Sequence, residues 1–182
     1  MRALSLIAAF LLVTGVFCGG AEEKPAEQAG TVKDFPAEAF AEITDAEMQK
    51  FITALPKVGE ALNKAGFTPP ETEDADIATS LVTVIEAVKP VPGVEAALKE
   101  TGTNWPEFRV TMYKVMVATA AFGVEMASAM AEGMADDTTA ETREAKAELE
   151  KAKEFTSKVP QKNKDMVIQH MDALQGLEAL GG

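Results

Sequence analysis

The sequence predicts an all-α domain: an antiparallel bundle of five to six helices around one long central helix. Three observations predict it. Apolar residues recur at spacings of three and four, and no stretch alternates apolar and polar residues long enough for a strand. Glycine and proline fall between these periodic segments. Two Thr-x-x-Glu sequences, Thr44 to Glu47 and Thr138 to Glu141, stand at helix starts in the pattern of a capping box.

The elements follow in order. Thr44 and Glu47 cap a first helix whose apolar positions are Met48, Phe51, Ile52 and Leu55. Pro56 either kinks this helix or starts a second short one, since its ring removes one backbone donor. Gly66 supplies the left-handed residue that ends it. After Phe67-Thr68-Pro69-Pro70, a helix is expected from about Glu71 to Val88. Its early acids Glu71, Glu73, Asp74 and Asp76 suit the positive end of the helix dipole. Its apolar face is Ile77, Leu81, Val84, Ile85 and Val88. A short helix from Val94 to Glu100 precedes Gly102.

The longest helix is expected from Trp105 to about Gly133, with Asn104 as N-cap and Pro106 in the first turn. Phe108, Met112, Val115, Thr119, Phe122 and Met126 form one stripe. Val110, Val117, Val124 and Ala131 form another. A helix apolar on several sides belongs at the centre of a bundle. Lys114 and Glu125 interrupt it, which argues against a membrane span. A charged helix then runs to about Ser157, capped at Asp136 to Thr139, with Leu149, Ala152 and Phe155 as its buried edge. Lys146 and Glu150 are an attractive i,i+4 pair on it, and Glu144 and Glu148 a repulsive one. Pro160 starts the last helix, with Val167, Met171, Leu174 and Leu177 inward.

Residues 56–71 and 92–107 match at seven of sixteen positions, at an offset of 36. Shared helix punctuation explains this better than a repeated unit, since only two copies exist.

The N-terminus carries a different signal. Arg2 precedes an uncharged apolar run of fourteen residues, Leu4 to Phe17. As a helix it would cover about 21 Å of a hydrocarbon core about 30 Å thick, which suits a secretory signal better than a span. Residues 1–20 are therefore read as a signal peptide, 21–43 as a flexible tether and 44–180 as the helical domain. Cleavage after Gly20 or Ala21 would satisfy an ordinary signal peptidase. The stretch Gly15-Val16-Phe17-Cys18-Gly19 resembles a bacterial lipobox, in which the cysteine becomes lipidated. Phe17 is larger than the residue that pattern carries before its cysteine. The small, polar stretch after Cys18 reads as a tether, which favours the lipoprotein route and assigns Cys18 as the lipid attachment site.

Composition narrows the chemistry. Cys18 is the only cysteine, so no disulfide or cysteine metal site is expected in the exported chain. The net charge is −12, which disfavours nucleic acid and anionic headgroups as partners. Membrane contact would come only through the N-terminal lipid. His170 is the only histidine, and no phosphate loop, dinucleotide motif or zinc-protease motif occurs. No catalytic residue, cofactor or metal ligand is assigned. The expected function is that of an exported, lipid-anchored, non-enzymatic envelope protein that binds a protein or a small apolar ligand.

The alternative is a periplasmic Cu(I)-binding protein. Met112 and Met116, and Met126, Met130 and Met134, recur at i,i+4, and Met166, His170 and Met171 lie on the last helix. Thioethers suit Cu(I). Methionine also fills irregular gaps in helical cores, and Met112 and Met126 share their stripe with Phe108 and Phe122, which favours packing.

Overall fold

A computed structural model describes residues 35–72, 75–133 and 140–174. Cys18, residues 21–34 of the expected tether, the cap at Asp136 to Thr139, Met134 and Leu177 lie outside the described residues. Among the described residues there are six α-helices and one 3-10 turn, with no strand. The predicted all-α class is the observed one.

Helix α1 (Asp45–Ala65) begins with the capping box its sequence predicts. The Glu47 backbone N–H donates to Thr44 Oγ1 at 3.2 Å, and the Thr44 N–H donates back to the Glu47 carboxylate at 2.7 Å. Two orphan donors of the first turn are thereby satisfied. Pro56 lies inside the helix and neither ends nor divides it. The proline is exposed, while Leu55 and Val58 on either side are buried. Packing of those neighbours holds the helix across the one missing hydrogen bond. The helix ends in a Schellman motif: Gly66 has φ of 64°, its N–H donates to Asn63, and the Phe67 N–H donates to the Leu62 carbonyl.

Helix α2 (Ile77–Val88) starts six residues later than the sequence reading places it. Asp76 decides the start. Its carboxylate accepts from both the backbone N–H and the hydroxyl of Thr79, each at 2.9 Å. Glu71 lies before the helix instead of in its first turn. Of the predicted face, Leu81, Val84, Ile85 and Val88 are buried and Ile77 is half-buried. Helix α3 (Val94–Glu100) ends in a second Schellman motif at Gly102, whose φ is 72°.

These two glycines account for much of the match between 56–71 and 92–107. Gly66 and Gly102 end helices in the same way. Pro56, however, is mid-helix, whereas its counterpart Pro92 sits in the turn before α3. The segments share punctuation without repeating a structural unit.

Helix α4 (Trp105–Gly133) has the predicted ends, and the Asn104 side chain accepts from the Glu107 N–H at 3.0 Å. The stretch from Thr111 to Ala118 is fully enclosed: Thr111, Met112, Tyr113, Lys114, Val115, Met116, Val117 and Ala118 are all buried. Each fully buried aliphatic side chain here contributes about 1.5–3 kcal/mol. The Thr111 hydroxyl donates to the carbonyl of Glu107, so a polar group is buried without being left unpaired. By length and composition this helix could cross a membrane, but its first half is core of this domain. Helices α5 (Ala140–Thr156) and α6 (Gln161–Gln169) complete the described set. Every other element packs against α4, which makes it the centre of the fold.

On α5 the predicted edge of Leu149, Ala152 and Phe155 is half-buried. Glu150 pairs with Lys153 at i,i+3, and Glu148 with Lys151 likewise. The last helix ends at Gln169, and a tight turn then carries Leu174 into the core and leaves Met171 half-buried.

The N-terminal boundary needs correction. Residues 35–43 were expected in the flexible tether, yet they are docked on the bundle. A 3-10 turn at Ala37–Phe40 packs against α4, and Ala39 and Ile43 are as buried as any core residue, at 1% and 0% exposure. The apolar residues of the segment, Phe35, Ala39, Phe40 and Ile43, are the ones that dock, while the groups that hold its backbone come from residues far along the chain.

Candidate functional site

Two features of the bundle meet at Glu47: the seat of the strap and an open groove. The seat is built by α4, α5 and α6. Asn163 lies on α6, is fully buried, and reads the strap backbone with both ends of its amide. Its Oδ1 accepts from the Ile43 N–H at 2.8 Å, and its Nδ2 donates to the Ala41 carbonyl at 2.9 Å. Lys114 reaches the same segment from α4. Its ammonium donates to the Glu42 carbonyl at 3.1 Å and to the Glu47 carboxylate at 2.7 Å. The Lys114 side chain is 7% exposed, so these bonds replace its lost hydration.

An aromatic cluster closes the other end of the strap. Phe35 meets Tyr113 and Phe155 edge to face, with ring centroids 5.5 and 5.2 Å apart, and Phe40 meets Phe155 at 5.6 Å. Such pairs add about 0.5–1.5 kcal/mol each beyond their buried area. Tyr113 donates its hydroxyl to Glu86 at 3.1 Å, and Arg109 pairs with the same carboxylate at 3.2 Å. Burial, reinforced by the adjacent Glu86 charge, pushes the Tyr113 phenol well above its ordinary range.

Glu47 is pulled both ways. Partial burial raises its carboxyl, but hydrogen bonds from Lys114 and Thr44 and the Lys114 charge outweigh this and hold it below the usual carboxylate range. It stays ionised at neutral pH and fixes Lys114.

The groove lies between α1 and the start of α4, with a volume of about 440 Å³. Phe51 and Phe108 form its floor but are almost wholly buried, so its accessible surface comes from Pro106 and Val110 and from the polar groups of Glu47, Lys50 and Glu107. Phe51 and Phe108 stack at 4.9 Å and 27°, which holds this wall rigid. Lys50 and Glu107 pair at 3.6 Å, both about half-exposed, and Thr103 donates to the same Glu107 carboxylate at 3.3 Å. The groove is open to solvent. It can cover one face of a peptide or of a flat apolar group, whereas an enclosed small-molecule site buries most of its ligand.

The methionines do not converge. Met112 and Met116 are buried in the bundle at 0% and 8% exposure, while Met126 and Met130 stand outside it at 36% and 68%. Met112 and Met130 are eighteen residues apart on one helix, about 27 Å along its axis. His170 caps the end of α6, half-buried, and Met166 of that helix is buried. No cluster of three or more histidine or carboxylate side chains suited to a metal occurs among the described residues.

Sequence reasoning missed Asn163, Lys114 and Glu42 as a connected set. Asn163 left one clue, a short polar side chain facing inward on a helix, but nothing local says what it bonds. Comparison with known proteins gives no significant match: no family model, no curated protein and no solved structure.

Proposed function

We propose that this is an exported bacterial envelope protein, anchored by a lipid on Cys18, with a non-enzymatic binding role. In this reading residues 1–20 are the signal peptide, a tether follows, and an antiparallel helical bundle is the working domain. Its partner is a protein or a small apolar ligand, and the open, largely polar groove between α1 and the start of α4 favours a protein segment over an enclosed molecule. The net charge of −12 opposes binding to nucleic acid.

The observation that carries the reading is the docked strap. Because the chain is fixed to the bundle from Phe35 onward, only residues 19–34 separate the domain from Cys18. Sixteen residues reach at most about 55 Å when fully extended. The domain would therefore work within that distance of the membrane surface, on partners located there.

Expression of the full chain with its own leader in a bacterial host tests this. The wild type should partition into detergent with the membrane fraction, and Cys18→Ser should move to the soluble envelope fraction. Equal partitioning of the two would remove the lipid from the account.

A further inference from the structure

We propose that Met126 and Met130 form a reversible oxidation site: peroxides convert both thioethers to sulfoxides, while the methionines of the core are spared and the bundle stays folded. Exposure divides the described methionines. Met48, Met112, Met116 and Met166 are buried, none of them more than 8% exposed. Met126 and Met130 are open to solvent, Met130 about twice as much as Met126. Met171 is half-buried and falls between the two groups.

The exposed pair lies on the outer half of α4, one turn apart. Residues spaced i,i+4 stand one above the other, about 5–6 Å apart at Cβ. With half-buried Phe122 and exposed Ala129 they form a stripe that carries no charge. Glu125, the acid beside the stripe, is paired with Lys164 of α6.

The chemistry needs that exposure. A thioether lone pair attacks one oxygen of the peroxide, so an S–O bond forms and the O–O bond breaks. Sulfur gives up two electrons, and the peroxide is reduced by them. The second oxygen leaves as hydroxide and takes the proton of the transferred hydroxyl, so the products are the sulfoxide and one water. Water must solvate the leaving hydroxide and relay that proton. It is at hand beside Met126 and Met130 and absent around Met112.

The modification is tolerated for the same reason. A sulfoxide in the core would be a buried acceptor without a donor and would disrupt packing. On the outer half of α4 the new oxygens point to water. Oxidation therefore changes the stripe from apolar to polar without touching what holds the fold, and reduction changes it back. The inference rests on exposure alone and holds whether or not Cys18 carries lipid.

Hydrogen peroxide added to the purified full chain tests it, with sulfoxide followed residue by residue by peptide mass spectrometry. Met130 should react fastest and Met126 next, both at least about tenfold faster than Met112, Met116 or Met166. In urea the rates should converge to within about twofold, since every sulfur then meets solvent. Comparable rates for Met130 and the buried set in the folded chain would overturn the site. Treatment stopped before the buried set reacts should leave the urea midpoint, read by Trp105, unchanged. A lower midpoint that Met126→Leu with Met130→Leu abolishes would overturn the tolerance of the outer half. A lower midpoint that persists in the double variant would place the damaging oxidation elsewhere and overturn the selectivity. Methionine sulfoxide reductases for the two sulfur epimers, added together to the folded oxidised chain, should restore both thioethers, and either alone should leave part of the sulfoxide. Sulfoxide that persists at Met126 and Met130 under both enzymes would overturn the reversibility.

Discussion

The two halves of α4 share one helix and opposite surroundings. From Phe108 to Ala121 nearly every side chain is buried, and Phe51, Ile43, Tyr113 and Lys114 all meet there. From Phe122 to Ala131 no side chain is fully buried, and Met126 and Met130 face outward. Both halves carry the same apolar residue types, alanine, valine, phenylalanine and methionine, with two methionines in each. Burial comes from what packs against the helix: the strap, α1, α2 and α3 in the first half. The same residue type therefore does different work in each half, and methionine shows it most directly.

The largest expected effect is at Met112. Replacing it with alanine opens a cavity in a site with 0% exposure and should cost about 2–5 kcal/mol. Met130→Ala should stay within about 0.5 kcal/mol. Urea unfolding read by Trp105, the only tryptophan, measures both. Equal losses would break the comparison by showing that the outer half is covered as the inner half is.

Asn163→Ala comes next. It strips the Ile43 N–H and the Ala41 carbonyl of their partners at a buried seat and should cost about 1–3 kcal/mol. Most of that loss should appear as strap exposure, seen as faster proteolysis between residues 35 and 44 than within α4.

A smaller effect comes from pH. The Glu47 carboxyl is held below its ordinary value of 4.5, so folding favours its ionised form. Its contribution is fully present above that ordinary value and is lost as pH falls through the lower folded one. Glu47→Gln should cost about 1 kcal/mol at pH 7, since Glu47 is partly exposed. The gap between variant and wild type should close in strong acid. A gap that persists there would assign the loss to packing or capping instead of charge.

The smallest expected effect concerns copper. Buried Met112 and Met116 lie too far along the helix from exposed Met126 and Met130 to share an ion. Anaerobic titration with Cu(I) should therefore show no tight stoichiometric binding. Binding abolished by Met126→Leu with Met130→Leu would assign the outer half of α4 a metal role.

Much of this fold is legible because its signals are local. The Thr44 and Glu47 box, the Asn104 cap and the terminator Gly66 each act within a few residues, and all three stand as the sequence predicts. Where two local signals compete, the sequence is less decisive. Four acids precede α2, and only the hydrogen bonds of Asp76 choose its start. Pro56 reads as a break, but buried Leu55 and Val58 override it. The strap left one local mark, the apolar Phe35, Phe40 and Ile43 in a stretch read as tether, but its seat was hidden, since Ile43 and Asn163 are 120 residues apart and neither carries a mark of the other. The groove was equally hidden, because it is a relation between the faces of α1 and α4.

The measurement that tests the account most directly is the intact mass of the mature protein, extracted from membranes of a bacterial host that expressed it with its own leader. The account predicts a chain that begins at Cys18 and is heavier by a diacylglycerol group. A bare chain beginning near Ala21 or Glu22 would contradict it, and would place the domain and its groove on a freely diffusing protein.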